Sequence, residues 1–215
     1  MKTYEFGNAD SDIVLIQPVD DHDLKGIENE FMTISNSCDM NFCLIAVRID
    51  DWNNDLSPWE APAVFGKESF GSRASETLDE LLELCGDKSR TYYLGGYSLA
   101  GLFALWAAYQ TDVFKGVVAT SPSVWFPGFA EYMKKNEIKT NTVYLSLGNR
   151  EEKTRNPIMA TVGDRIREAY VLLKERGGVN CILEWNEGNH FKDADIRTAR
   201  AFAWALNNKT AADSV

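Results

Sequence analysis

Basic residues, histidines, paired cysteines and long apolar runs are all scarce in this chain, and each shortage removes a class of function. Lys and Arg number 22 against 32 Asp and Glu, a formal net charge of −10. Nucleic acid demands clustered Lys and Arg to replace the counterions on its phosphates, so that class is set aside. The acidity reads as a solubility feature. No apolar run approaches the roughly 20 residues that cross a bilayer. The opening MKTYEFGNADSD lacks the apolar segment of a signal peptide, so the chain reads as cytoplasmic, with no membrane partner. Cys38, Cys43, Cys85 and Cys181 show no C-x-x-C spacing, and Cys43 and Cys181 fall in apolar runs. They read as buried free thiols. Only two histidines occur, His22 and His190, so any imidazole base is one of these two.

Apolar runs alternate with helical patterns over the 215 residues. Strands are expected at 12–19, 41–49, 91–97, 114–120, 141–148 and 179–185, most of them near-continuous hydrophobic stretches of the kind buried on both faces of a parallel sheet. Helices are expected near 23–35, 74–86, 99–110, 128–135, 157–176 and 192–207. The alternation predicts an α/β fold of one domain, with a mostly parallel sheet of about six or more strands and helices on both faces. Its ligands bind at the carboxyl ends of the strands. Two loops there stand out: the long 50–73 segment and SPSVWFP at 121–127. No linker or repeat suggests a cap domain, and the tail from about 208 to 215 reads as frayed.

The stretch LGGYSLAGLFALW places Ser98 between an apolar strand and an apolar helix. A nucleophile elbow has this context, and its tight turn demands small neighbours. Gly96 supplies one two positions before the serine. Two positions after it stands Ala100, where the G-x-S-x-G pattern has glycine, with Gly101 one place later as the candidate for close helix–sheet approach. The Leu99 N–H at the helix start is a natural oxyanion donor. A second donor is expected from Val19 or Asp20, after the first expected strand. The plainer reading makes Ser98 a helix N-cap.

A serine needs a base. His190, in EWNEGNHFKDADIR, follows the last strand. The acid belongs between serine and histidine in the chain order Ser–acid–His, and GNREE after the 141–148 strand offers Glu151, then Glu152, with Asp164 a distant third. His22 lies in VDDHDLKG. There Asp20, Asp21 and Asp23 suggest loop polarity and helix capping, and without a second histidine or cysteine group no metal is assigned. His22 is expected on the active-site edge. Trp52, Trp59, Tyr97, Trp125 and Phe126 are expected to frame the pocket.

With these motifs in order, the chain resembles the α/β-hydrolase superfamily, in its cap-less branch of esterase D-like and siderophore esterase-like enzymes. GGYSLAGLFAL resembles the elbow, SPSVWF an S-P-S-x-W loop, GNREE the acid loop and GNHF the histidine loop, over about residues 12–207. The resemblance implies a serine hydrolase of small-molecule esters, thioesters or amides, with no cofactor. It makes Ser98 the nucleophile, His190 the base, Glu151 the acid and Leu99 N–H an oxyanion donor. It also implies a sheet that starts at the family's third strand, without the first hairpin. A Ser–His dyad, a catalytically silent binding protein and an acyltransferase are the competing readings.

Overall fold

The computed structural model describes residues 1–208, so the expected fraying of the tail beyond Asn208 lies outside the described residues. In chain order the elements are β1 (Lys2–Gly7), β2 (Ile13–Val19), α1 (Ile27–Ser35), β3 (Cys43–Arg48), α2 (Trp52–Asp55), α3 (Ala74–Glu83), β4 (Thr91–Tyr97), α4 (Ser98–Gln110), β5 (Phe114–Thr120), α5 (Phe129–Lys135), β6 (Thr142–Gly148), α6 (Val162–Glu175), β7 (Asn180–Asn186) and α7 (Ala194–Asn207). Two helical patterns begin as single tight turns, Asp23–Lys25 before α1 and Met159–Thr161 before α6.

The seven strands form one sheet in the order β1-β3-β2-β4-β5-β6-β7. β2 through β7 pair in parallel. β1 lies antiparallel on β3, with Lys2 opposite Arg48 and Gly7 opposite Cys43. This strand corrects the expectation of a sheet that begins near residue 12. KTYEFG alternates exposed and half-buried positions, as an edge strand with one wet face does. Its polar residues mask the period of two carried by Tyr4 and Phe6, which pack on the core.

The near-continuous apolar strands require cover on both sides, and the helices divide to provide it. On one face α1 and α7 set Ile27, Ile34 and Phe202 over Leu15, Leu44 and Val118. On the other, α3 to α6 set Leu78, Phe103, Phe129 and Ile166 over Ile45, Val117 and Leu145. Helix α4 is buried from Leu99 to Tyr109, and only a sequence apolar all round could sit there. The 49–73 connection runs across the strand ends, carries α2, and is pinned by a bridge between Ala61 and Phe70. Among the described residues no large cap stands over the sheet, and no helix is long and apolar enough to cross a membrane.

The four thiols are free. Cys43, Cys85 and Cys181 are buried and Cys38 is half-buried. Burial pushes the thiols of Cys85 and Cys181 up to about 12, far from thiolate chemistry at neutral pH. Ellman's reagent should therefore modify Cys38 at most in the native protein, and all four thiols in urea. Fast native modification of Cys85 or Cys181 would contradict this packing.

Candidate active site

Between β4 and α4 the chain reverses at Ser98, whose φ of +58° lies in the left-handed region. Holding an L-residue there costs about 1–3 kcal/mol, and surrounding packing must impose it. A Cβ at Gly96 would sit 2.6 Å from the Ala100 methyl, and one at Gly101 would sit 2.9 Å from the Gly96 carbonyl and 3.1 Å from that of Thr120. Gly96 thus leaves the space that the methyl of Ala100 occupies. The late glycine performs the close approach, and Ala100 is accommodated without exposure.

The turn aims the Ser98 hydroxyl at His190. Ser98 Oγ lies 3.0 Å from His190 Nε2, and His190 Nδ1 lies 2.7 Å from Glu151 Oε2. The other carboxylate oxygen, Glu151 Oε1, accepts from Ser121 Oγ at 2.7 Å, Gly148 N–H at 2.7 Å and Arg197 Nη1 at 3.1 Å. Burial acts to raise the Glu151 carboxyl, but the His190 ring, then Ser121 and the Gly148 amide, outweigh it and hold it below its ordinary value. An ionised Glu151 fixes the tautomer: Nδ1 carries the proton, and Nε2 is free to accept from Ser98.

Arg197, 2% exposed on α7, ties this arrangement to its surroundings. Nη1 also donates to Tyr97 Oη at 3.1 Å, and Nη2 donates to the carbonyls of Glu187 and Asn189 at 2.9 and 3.1 Å. Tyr97 Oη in turn donates to the His190 carbonyl at 2.7 Å. The acid loop and the histidine loop are further stitched by Arg150 N–H to Gly188 O and by Gly188 N–H to Asn149 Oδ1. Strain marks the site's neighbours too: Ser121 at the end of β5 and Asp193 before α7 have φ of 43° and 53°.

Ser98 opens into a cavity of 510 Å³ whose apolar wall is made by Trp52, Phe65, Trp125, Met159, Val162 and Phe191. Asp20, His190 and Glu151 border it as well. Trp52 and Trp125 are therefore where the sequence reading puts them, but four other residues are not. Trp59 is half-buried against the core, donates its indole N–H to the Pro127 carbonyl and stacks on Phe129. Phe126 is buried against Trp59 and Phe70. Tyr97 stands behind His190, with ring centroids 5.2 Å apart, and lines not this cavity but a separate one of 340 Å³. His22, carried outward by the Asp23–Lys25 turn, lines the same separate cavity.

Of the alternative residues, Glu152 turns away to Arg167 at 3.3 Å, as does Asp164 at 3.2 Å. Val19 is fully buried in the layer under α1 and α7 and does not border the Ser98 cavity, whereas Asp20 does. Asp20 Oδ1 accepts from the N–H groups of His22 and Asp23, the capping role expected of this acidic turn. Leu99 occupies the first turn of α4, where its N–H has no place in the helical ladder.

Ser121, Ser123 and Arg197 escaped sequence reading as site residues. Ser123 N–H donates to the Ser98 carbonyl at 3.0 Å, and its Oγ lies 3.5 Å from Ser98 Oγ. The available sign for Arg197 was a charged residue on the apolar face of a helix, four places before Ala201.

No protein-family model matches the sequence, and neither does any curated protein. Solved structures do resemble the fold. An IroE-like serine hydrolase from Shewanella oneidensis matches with a TM-score of 0.70 and 14% identity, over 92% of this chain and 71% of that one. The siderophore hydrolase EstA from Aspergillus nidulans gives 0.66 and 19%, over 95% and 86%. An acyl-protein thioesterase 2 from Zea mays gives 0.58 and 13%, over 96% and 98%. At such identities the likeness establishes the fold, which is the α/β-hydrolase fold without a large cap.

Removing one partner of a buried ion pair leaves the other charge uncompensated, at a cost of about 3–5 kcal/mol. Arg197→Met should lower stability by about that amount in urea denaturation, and Arg197→Lys by less. A loss below about 1 kcal/mol for Arg197→Met would show that Glu151 does not depend on the guanidinium.

Proposed function

We propose that the protein is a serine hydrolase of small-molecule carboxylic esters, with thioesters and amides as chemically related substrates. The observation that carries this reading is the unbroken chain from Ser98 Oγ through His190 to Glu151, at 3.0 and 2.7 Å, with the serine held at positive φ. An N-capping serine has no need of an oriented imidazole.

In this reading Ser98 Oγ attacks the ester carbonyl while His190 Nε2 takes its proton. The N–H groups of Leu99 and Asp20 receive the oxyanion; Asp20 is preferred to Val19 because it borders the cavity. Each such donor is worth on the order of 10²–10³ in rate. His190 then gives the proton to the departing alcohol, and the acyl group stays on Ser98. A water enters, His190 removes its proton, and collapse of the second tetrahedral species frees the acid. Glu151 stays ionised throughout, orients the ring and offsets the imidazolium charge. The aromatic wall of the 510 Å³ cavity suits an apolar or aromatic group beside the scissile bond. The free thiols fit a reducing compartment such as the cytoplasm.

Kinetics on p-nitrophenyl esters of increasing acyl length test the reading. Ser98→Ala should lower kcat by up to about 10⁶-fold. Glu151→Gln, which disturbs the imidazole tautomer, should lower it by about 10⁴-fold. Glu152→Gln should change it less than about twofold, since its carboxylate faces Arg167. Equal and small losses at 151 and 152 would mean a Ser–His dyad. A general base works only unprotonated, so the rate should fall as pH is lowered while Glu151, held below its ordinary value, stays charged. A rate that does not fall in acid removes His190 as base.

A further inference from the structure

A second cavity, of 340 Å³, shares Phe191 with the aromatic one and lies between the end of β2, the start of α1 and the start of α7. Its character is different. Gln17, Asp23, Glu30, Asp193 and Asp195 line it, with Lys25 as the formal cation on the wall. Lys25 acts on Asp21, whose carboxyl is lowered first by Arg48 and then by Lys25.

At its base Gln17 and Glu30 are only 2% and 3% exposed. Gln17 Nε2 donates to Glu30 Oε2 at 3.2 Å, which leaves Gln17 Oε1 and Glu30 Oε1 buried without a hydrogen-bond partner. Unpaired buried acceptors are costly, and a ligand donor is one way to satisfy them. The carboxylates around them, Asp23, Asp193 and Asp195, outnumber the basic groups on the wall, Lys25 and the His22 ring. Burial, opposed by Gln17, pushes Glu30 well above its ordinary range, and the charges of Asp23 and Asp195 push the same way. Burial and then Asp20 push Asp23 up to about 6, against the His22 ring 3.8 Å away. Asp195 is held in place by Asn29 Nδ2 at 2.7 Å. A compact donor with several N–H bonds and a positive charge answers both needs at once.

We propose that this cavity binds a primary ammonium group, so that the substrate is an ester with one apolar arm and one arm that ends in an ammonium. The substrate class rests on the hydrolase reading; the cation site does not. The apolar arm fills the space walled by Trp52 and Trp125, and the ammonium arm passes Phe191, which borders both cavities.

Calorimetric titration of the Ser98→Ala protein with hexylammonium chloride and with hexanol separates charge recognition from catalysis. Hexylammonium should bind at least about tenfold more tightly than the alcohol, and Glu30→Gln should bring the two within about twofold. Asp195→Asn, at the half-buried rim, serves where Glu30→Gln fails to fold, and should cut the preference at least about threefold. Equal affinity for ammonium and alcohol overturns the site, as does a preference that survives these substitutions. In the wild type, kcat/KM is then compared for ester pairs that differ only by a terminal ammonium or methyl group, on the acyl arm and on the alcohol arm in turn. The ammonium member of one pair should be preferred at least about tenfold. Turnover of the methyl esters with no ammonium preference in either arm overturns the substrate class and leaves the hydrolase intact. Ammonium binding with no turnover of any ester keeps the cation site and sinks the hydrolase.

Discussion

A carboxylate taken out of water must be compensated or it loses its charge, and Glu151 meets that condition through four donors from four parts of the chain. His190 comes from the loop after β7, Ser121 from the end of β5, the Gly148 amide from the end of β6 and Arg197 from α7. No two of these neighbours are adjacent in sequence; the parallel sheet brings their strand ends to one edge. The same guanidinium holds two carbonyls of the histidine loop. The ion pair therefore fixes both the charge of the acid and the position of the ring it orients.

The serine turn depends on a second kind of constraint, steric rather than electrostatic. Ser98 can remain at positive φ because β4, α4 and the turn after β5 close around it with almost no spare volume. The methyl of Ala100 is tolerated because Gly96 is bare beside it, and the bare Gly101 lets α4 approach the carbonyls of Gly96 and Thr120. A spelling that departs from the usual motif thus yields the same turn, with the glycine requirement moved by one residue.

Much of this was legible in the sequence. The parallel strands were visible as apolar runs, and the scarcity of histidine narrowed the base to one residue after a strand and one in an acidic turn. Ser98, His190 and Glu151 could be named because strand ends of a parallel sheet must converge. Three kinds of feature stayed hidden. The edge strand β1 was masked by its wet face. Arg197 belongs to a helix whose local pattern says nothing of the loops it reaches. The aromatics divided in a way periodicity does not encode: Trp52 and Trp125 reach the cavity, while, from the same loops, Phe126 joins the core and Trp59 packs half-buried against it. His22 likewise borders a different cavity, because the turn that opens at Asp20 carries it outward.

One aromatic and one acidic cavity share Phe191, and in the proposed reading each takes one arm of an asymmetric substrate. All of this presumes that Ser98 is the nucleophile. The most direct measurement is mass spectrometry of the folded protein after reaction with a fluorophosphonate, which bonds covalently to an activated serine. The expected result is one phosphonyl adduct on the peptide that contains Ser98 and none on the Ser98→Ala protein. No adduct on the folded wild type, or equal labelling of the two, would contradict the assignment.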